Sequence, residues 1–247
     1  MPQLPTSPRP RRPHGARQRF YTLLPAAARV LDVGCLGFRE LAHAASMGRD
    51  DIRHAGVDYA APADGVIPAG FDFRAANLDS QHLPFDDDSF DGVVASHVIE
   101  HVRDPIALVR ECIRVCRPGG VVYVEAPSER SLLLPGMPFQ HELFYSLSYY
   151  DDPTHNSRPW TPQSFYRLAC YLACEPLAVG HVVSWRQRLL LVFTLPLALL
   201  TRRADRLERI VWASVGWSAY LLLHKPETLQ GAPEFRYYYP QQRSAAR

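Results

Sequence analysis

The stretch Arg29-Val-Leu-Asp-Val-Gly-Cys-Leu-Gly37 decides the fold. A short apolar strand (Val30, Leu31, Val33) carries a carboxylate, Asp32, near its end and runs into a turn that holds Gly34 and Gly37. A helical pattern from Phe38 to Met47 follows. Glycines after a strand let the backbone turn sharply and approach a ligand closely, and the acid can hold a donor group there. Strand, glycine turn and helix in that order suit a nucleotide-type ligand.

Outward from this turn the chain alternates strand and helix. Strands are expected near 29–33, 53–58, 71–75, 91–96 and 120–125, from runs rich in β-branched and apolar residues. Helices fill most of the intervals, notably 104–116, and the Pro118-Gly119-Gly120 turn ends that helix. A further helix from about Thr161 to Cys174, with Thr161 as cap and Pro162 in the first turn, leads to a sixth strand near 177–184. The last strand is Ser218 to His224.

This alternation predicts an α/β protein: a doubly wound, Rossmann-like, mostly parallel seven-stranded sheet with helices on both faces and a C-terminal helical insertion before the last strand. The 247 residues, 47% of them hydrophobic, suffice for one such domain with accessories. The expected divisions are a disordered Pro/Arg-rich tail (1–16), a core (17–184) with a substrate-side loop at 127–160, a helical insertion (185–216), the last core strand (217–226) and a C-terminal tail (227–247).

Acids recur where the strands end. Ala55-Gly-Val-Asp58-Tyr59 ends an apolar strand on a carboxylate, the place where a doubly wound sheet presents an acceptor to ribose hydroxyls; the alternative is that Asp58 only caps the next loop. Three further segments follow. They are Ala76-Asn-Leu-Asp79-Ser-Gln-His-Leu-Pro84-Phe85, Ser96-His-Val-Ile-Glu100-His101-Val-Arg-Asp104-Pro105 and Arg117-Pro-Gly-Gly120.

Together with the first turn, these segments resemble the class I S-adenosylmethionine-dependent methyltransferases, in particular the type 11 pattern, over about residues 25–126. The resemblance implies a cofactor, S-adenosyl-L-methionine, bound by Asp32, Gly34, Gly37, Asp58, Asn77, Asp79 and His97. Within that set it makes Asp79 the acceptor of the adenine amino group, with Asn77 as second candidate. One departure stands out. Members usually carry glycines where this chain has Leu36 and Phe38 in an ungapped match. That leaves a second reading, a catalytically inactive binding protein that keeps the sheet.

Methyl transfer from a sulfonium needs two aligned reactants and little water, and a hydroxyl acceptor must also lose its proton. The candidate bases are His101, after the fourth strand, with a structural or cofactor-adjacent role as its alternative, and His155, in the loop Tyr149-Tyr-Asp-Asp-Pro-Thr-His155. Asp151, Asp152 and His155, with His141 and Glu142, offer metal-binding types, but their spacing fits no strong motif, so no metal site is expected. The acceptor is expected to be a small molecule, a glycan or a lipid-linked compound, methylated on oxygen. A nicotinamide-dependent dehydrogenase is disfavoured: the turn lacks Gly-x-Gly-x-x-Gly, and no Tyr-x-x-x-Lys is present, Lys225 being the sole lysine.

A net charge of +2 argues against a protein built around nucleic-acid phosphates. Five cysteines (Cys35, Cys112, Cys116, Cys170, Cys174) without a small disulfide framework, and no secretory leader, point to a reduced, cytoplasmic protein. The apolar run Leu189 to Leu200, flanked by Arg186, Arg188, Arg202 and Arg203, is too short to span a bilayer. It is expected to be a lid over an apolar acceptor, a peripheral membrane contact through 186–203, or extra core, bent or interrupted at Pro196.

Overall fold

The computed structural model describes residues 15–62, 65–79, 82–139 and 145–228. Seven strands form one sheet: β1 (Arg29–Val33), β2 (Arg53–Asp58), β3 (Asp72–Ala75), β4 (Phe90–Ser96), β5 (Cys116–Pro127), β6 (Glu175–His181) and β7 (Ser218–His224). Their order is β3-β2-β1-β4-β5-β7-β6, parallel except for β7, which lies antiparallel between β5 and β6. The helices are α1 (Gly15–Leu23), α2 (Arg39–Ser46), α3 (Pro105–Val115), α4 (Pro162–Tyr171), α5 (Trp185–Leu200) and α6 (Ala204–Val215).

The central strands are apolar on both faces because both faces are covered. Leu31, Val33, Val93, Ala95, Val122 and Val124 face a core shared with Leu108 and Cys112 of α3 and Phe165 and Leu168 of α4. Val30, Val94, Tyr123 and Leu222, one residue out of phase, face a second core with Phe20 and Tyr21 of α1 and Ala44 of α2. Alternation along each strand assigns the two layers.

Local signals set several boundaries. Asp104 caps α3, its carboxylate accepting the Ala107 N–H at 2.9 Å with Pro105 in the first turn. Thr161 and Ser164 form a reciprocal capping box at α4. The sixth strand begins and ends earlier than the sequence suggests, at 175–181, because its residues pair with β7 from Glu175 opposite His224 to His181 opposite Ala219. β5 starts at Cys116, across a register shift opposite Phe90 and Gly92, rather than at 120. In the acidic turn Asp86-Asp87-Asp88, Asp87 pairs with Arg114 at 2.6 Å, and Asp88 with buried Lys225 at 2.6 Å.

α5 runs unbroken through Pro196, which removes one backbone donor without ending the helix. Nor is α5 core: Ala198 is its one buried residue, whereas Trp185, Leu189, Val192, Phe193 and Leu200 are each at least 70% exposed. α6 buries Leu207 beside Leu147 and Ala198, a small third cluster.

Candidate active site

The order of the strands reverses between β1 and β4, and in open α/β sheets the crevice at such a reversal, outside the carboxyl ends of the strands, binds ligands. Asp32 lies in β1, Asp58 ends β2, the segments after β1, β3 and β4 carry Gly34, Gly37, Asn77, Asp79, His97 and His101, and His155 lies in the connection between β5 and α4. Gly34 has φ +78°, and an added Cβ would come within 3.0 Å of the Val98 side chain, so the turn admits no larger residue without displacement. Gly37, at φ +83°, lies in open space, where only backbone conformation demands glycine. Phe38 sits in the left-handed region as cap of α2, and its ring packs edge-on against Phe71 at 4.9 Å.

Asp58 is tied to this turn. One carboxylate oxygen accepts the Leu36 N–H at 3.1 Å and the other the Tyr59 N–H at 2.8 Å. Burial pushes its carboxyl above the usual range, and the two N–H groups pull it partly back. Asn77 accepts the Asp79 N–H at 3.0 Å, closing an Asx turn, and Asp79 accepts the Arg103 N–H at 2.7 Å. Asp79 is therefore held against the segment after β4, while the Asn77 oxygen is committed to the turn. A glycine turn plus carboxylates at neighbouring strand ends is a donor and acceptor set that fits an adenosine-bearing cofactor.

Asp32 lies deeper. It is buried, and burial together with nearby Glu40 pushes its carboxyl well up. Glu40 of α2 accepts the Tyr21 hydroxyl, pairs with Arg17 at 3.2 Å and lies 3.5 Å from His43. Against the effect of burial, these partners lower Glu40 to about 2. Sequence reading missed this network, because α1 and α2 carry no motif that names it.

His97 also adopts a left-handed conformation, φ 56°. Its ring bridges Glu100 at 3.1 Å and Glu125 at 3.4 Å and lies 3.2 Å from the Ser218 hydroxyl. The stacked indoles of Trp212 and Trp217 flank it at 5.7 and 5.8 Å. Burial opposes its charge, but the two carboxylates outweigh burial and raise it to about 9. His97 is thus a cation clamped under α6, with Glu100 and Glu125 as partners the sequence did not single out.

His101 and His155 come together, their ring centres 5.0 Å apart. The 148–157 loop is stapled to the end of β4: Asn156 N–H and Ser157 N–H donate to the Glu100 carbonyl at 2.7 and 3.1 Å, and the Asn156 amide donates to the His101 carbonyl at 2.8 Å. Tyr149 stacks on the His155 ring at 4.3 Å. Asp151 does not join the pair. Its carboxylate caps the loop by accepting from Met137, Leu147 and Ser148 N–H groups. His141 and Glu142 lie outside the described residues.

The cysteines are all free. Burial pushes the thiols of Cys116 and Cys174 up to about 12 and 11, and Cys112 and Cys116 belong to the main core. They act as small apolar residues.

Comparison with known proteins bears on the same region. Residues 31–124 match the family described as Methyltransferase domain. A probable S-adenosylmethionine-dependent methyltransferase of Mycolicibacterium smegmatis is 38% identical over 111 residues, 43% of this chain and 40% of that protein. A ubiquinone biosynthesis O-methyltransferase of Xanthomonas axonopodis pv. citri is 33% identical over 109 residues, 41% and 44% of the two chains. The match thus spans less than half the length of these relatives. Among solved structures, a SAM-dependent methyltransferase from Archaeoglobus fulgidus aligns over 85% of this chain and 92% of its own, with a TM-score of 0.54 and 22% identity. Residues 31–124 thus resemble the methyltransferase-domain family, and the chain has the class I S-adenosylmethionine-dependent methyltransferase fold.

Proposed function

We propose that this chain transfers a methyl group from S-adenosyl-L-methionine to a hydroxyl oxygen of a small-molecule, glycan or lipid-linked acceptor. The observation that carries the reading is the gathering of the Gly34 turn, Asp58 and Asp79 after β1, β2 and β3 with the His101–His155 pair after β4, at the strand-order reversal. Asp58 accepts from the ribose hydroxyls, Asp79 from the adenine amino group, and the Gly34–Gly37 turn lets the backbone approach. The cofactor supplies an activated sulfonium methyl. The protein aligns the acceptor in line with it, keeps water out, and takes up the hydroxyl proton at an imidazole of His101 or His155.

The exposed apolar face of α5, with exposed Arg186, Arg188, Arg202 and Arg203 at its ends, favours an apolar or lipid-linked acceptor reached at an anionic membrane surface. Among the described residues no helix is long and apolar enough to cross a membrane. We place the protein in the cytoplasm, at that surface, where thiols stay reduced. Calorimetric titration with S-adenosylmethionine and S-adenosylhomocysteine tests the reading: saturable one-to-one binding is expected, and no binding of either sinks it.

A further inference from the structure

Glu100, His101 and His155 each direct one ligand atom into a common space, the three atoms all within 4.8 Å of one another. From these residues we infer that the site holds a divalent transition-metal ion of the zinc class.

Glu100 is 1% exposed, and one of its oxygens serves His97 while the other is buried without a hydrogen-bond partner. An unpaired carboxylate oxygen in such a place costs free energy unless a cation meets it. The two imidazoles are prepared to be ligands. Thr154 donates its hydroxyl proton to Asp152 at 2.6 Å, so its oxygen accepts from His101 Nδ1–H at 2.9 Å, which leaves Nε2 of His101 as the lone-pair nitrogen. The Tyr149 carbonyl, which can only accept, takes His155 Nδ1–H at 2.7 Å and leaves Nε2 of His155 in the same state.

Second partners that fix the tautomer and the ring are the usual support of metal-bound histidine. Two imidazoles and one carboxylate suit zinc and its neighbours better than magnesium or calcium, and three protein ligands leave a position open for an acceptor oxygen. Ligands about 2.1 Å from zinc stand roughly 3 to 3.5 Å apart, so modest side-chain rotation closes the set. Only the fold produces this triad, since His155 arrives from a loop far along the chain.

The inference revises the proposed reaction at one step and rests on it for the ion's role: with the metal bound, His101 and His155 would serve as its ligands in place of the free-imidazole base, the metal would lower the pKa of the acceptor hydroxyl, and the proton would pass to water. Metal binding itself does not depend on that reading. The test uses the full chain, freed of metal by chelator, titrated with Zn²⁺ by calorimetry and with Co²⁺ by visible absorption, beside a separate titration with S-adenosylhomocysteine. One tightly bound ion per chain is expected, with Co²⁺ bands of nitrogen and oxygen ligation.

His155→Ala, a change in the loop, should weaken metal binding about a hundredfold and leave S-adenosylhomocysteine affinity unchanged. Glu100→Gln and His101→Ala should weaken metal binding to a similar extent, with folding checked by circular dichroism. Absence of stoichiometric Zn²⁺ binding, or wild-type affinity in folded His155→Ala, overturns the metal site. Metal binding without S-adenosylhomocysteine binding overturns the methyltransferase reading and leaves the metal site standing.

Discussion

Arg17 of α1 and Glu40 of α2 form an ion pair at 3.2 Å in which both side chains are less than 10% exposed. The pair joins the lead-in helix to the helix that follows the glycine turn. Removing one partner of a buried pair strands the other charge, at a cost of about 3–5 kcal/mol. Arg17→Met should lower unfolding free energy in urea by about that amount, and Arg17→Met combined with Glu40→Gln should restore part of it. A loss within experimental error in the single variant would show that the carboxylate finds other partners.

The same carboxylate gives an acid-dependent stability. Facing it are Arg17, Tyr21, His43, Asp32 from β1, His54 from β2 and Tyr123 from β5. The folded value of Glu40 lies near 2, below the ordinary 4.5, so its contribution is present above pH 4.5 and is lost as pH falls toward 2. Asp32 is shifted upward and acts with the opposite sign. Melting temperatures measured between pH 2 and pH 5 should fall more steeply for the wild type than for Glu40→Gln, and parallel curves would remove Glu40 from the account.

Asp58→Ala should reduce affinity for S-adenosylhomocysteine roughly ten- to hundredfold, corresponding to about 1.5–3 kcal/mol for a charge-assisted contact. Asp58 also accepts the Leu36 N–H, so a thermal melt of the variant must accompany the titration. Unchanged affinity in a folded variant would leave Asp58 as a mere anchor of the turn.

Once an acceptor is identified, His101→Ala and His155→Ala should each lower turnover by about 10² to 10⁴ while cofactor affinity stays near wild type. Stopped-assay kinetics with calorimetry in parallel make that separation. Full turnover in both variants would mean that alignment alone suffices.

Co-sedimentation with phosphatidylglycerol vesicles at low salt should retain the protein, and neutral vesicles or high salt should release it. Phe193→Asp and Leu189→Asp, both on the exposed face of α5, should weaken retention roughly tenfold or more without unfolding the chain. Retention by neither kind of vesicle would leave α5 as a lid.

Period-two apolar runs, the Gly34 turn and the acids of β1 and β2 were legible in the sequence because each is set within a few residues. Parallel strands then place their carboxyl ends on one edge, which is why Asp58 and Asp79 could be read locally as residues of that edge. Partners distant along the chain were not legible. The antiparallel place of β7, the burial of Glu40 against Arg17, the clamp of Glu100 and Glu125 on His97, and the meeting of His155 with His101 all depend on where long connections return. Periodicity tells which face of a segment is apolar, never what covers it. α5 shows this most plainly: its composition permits core, lid or membrane contact, and only its packing, with Ala198 alone buried, removes the first.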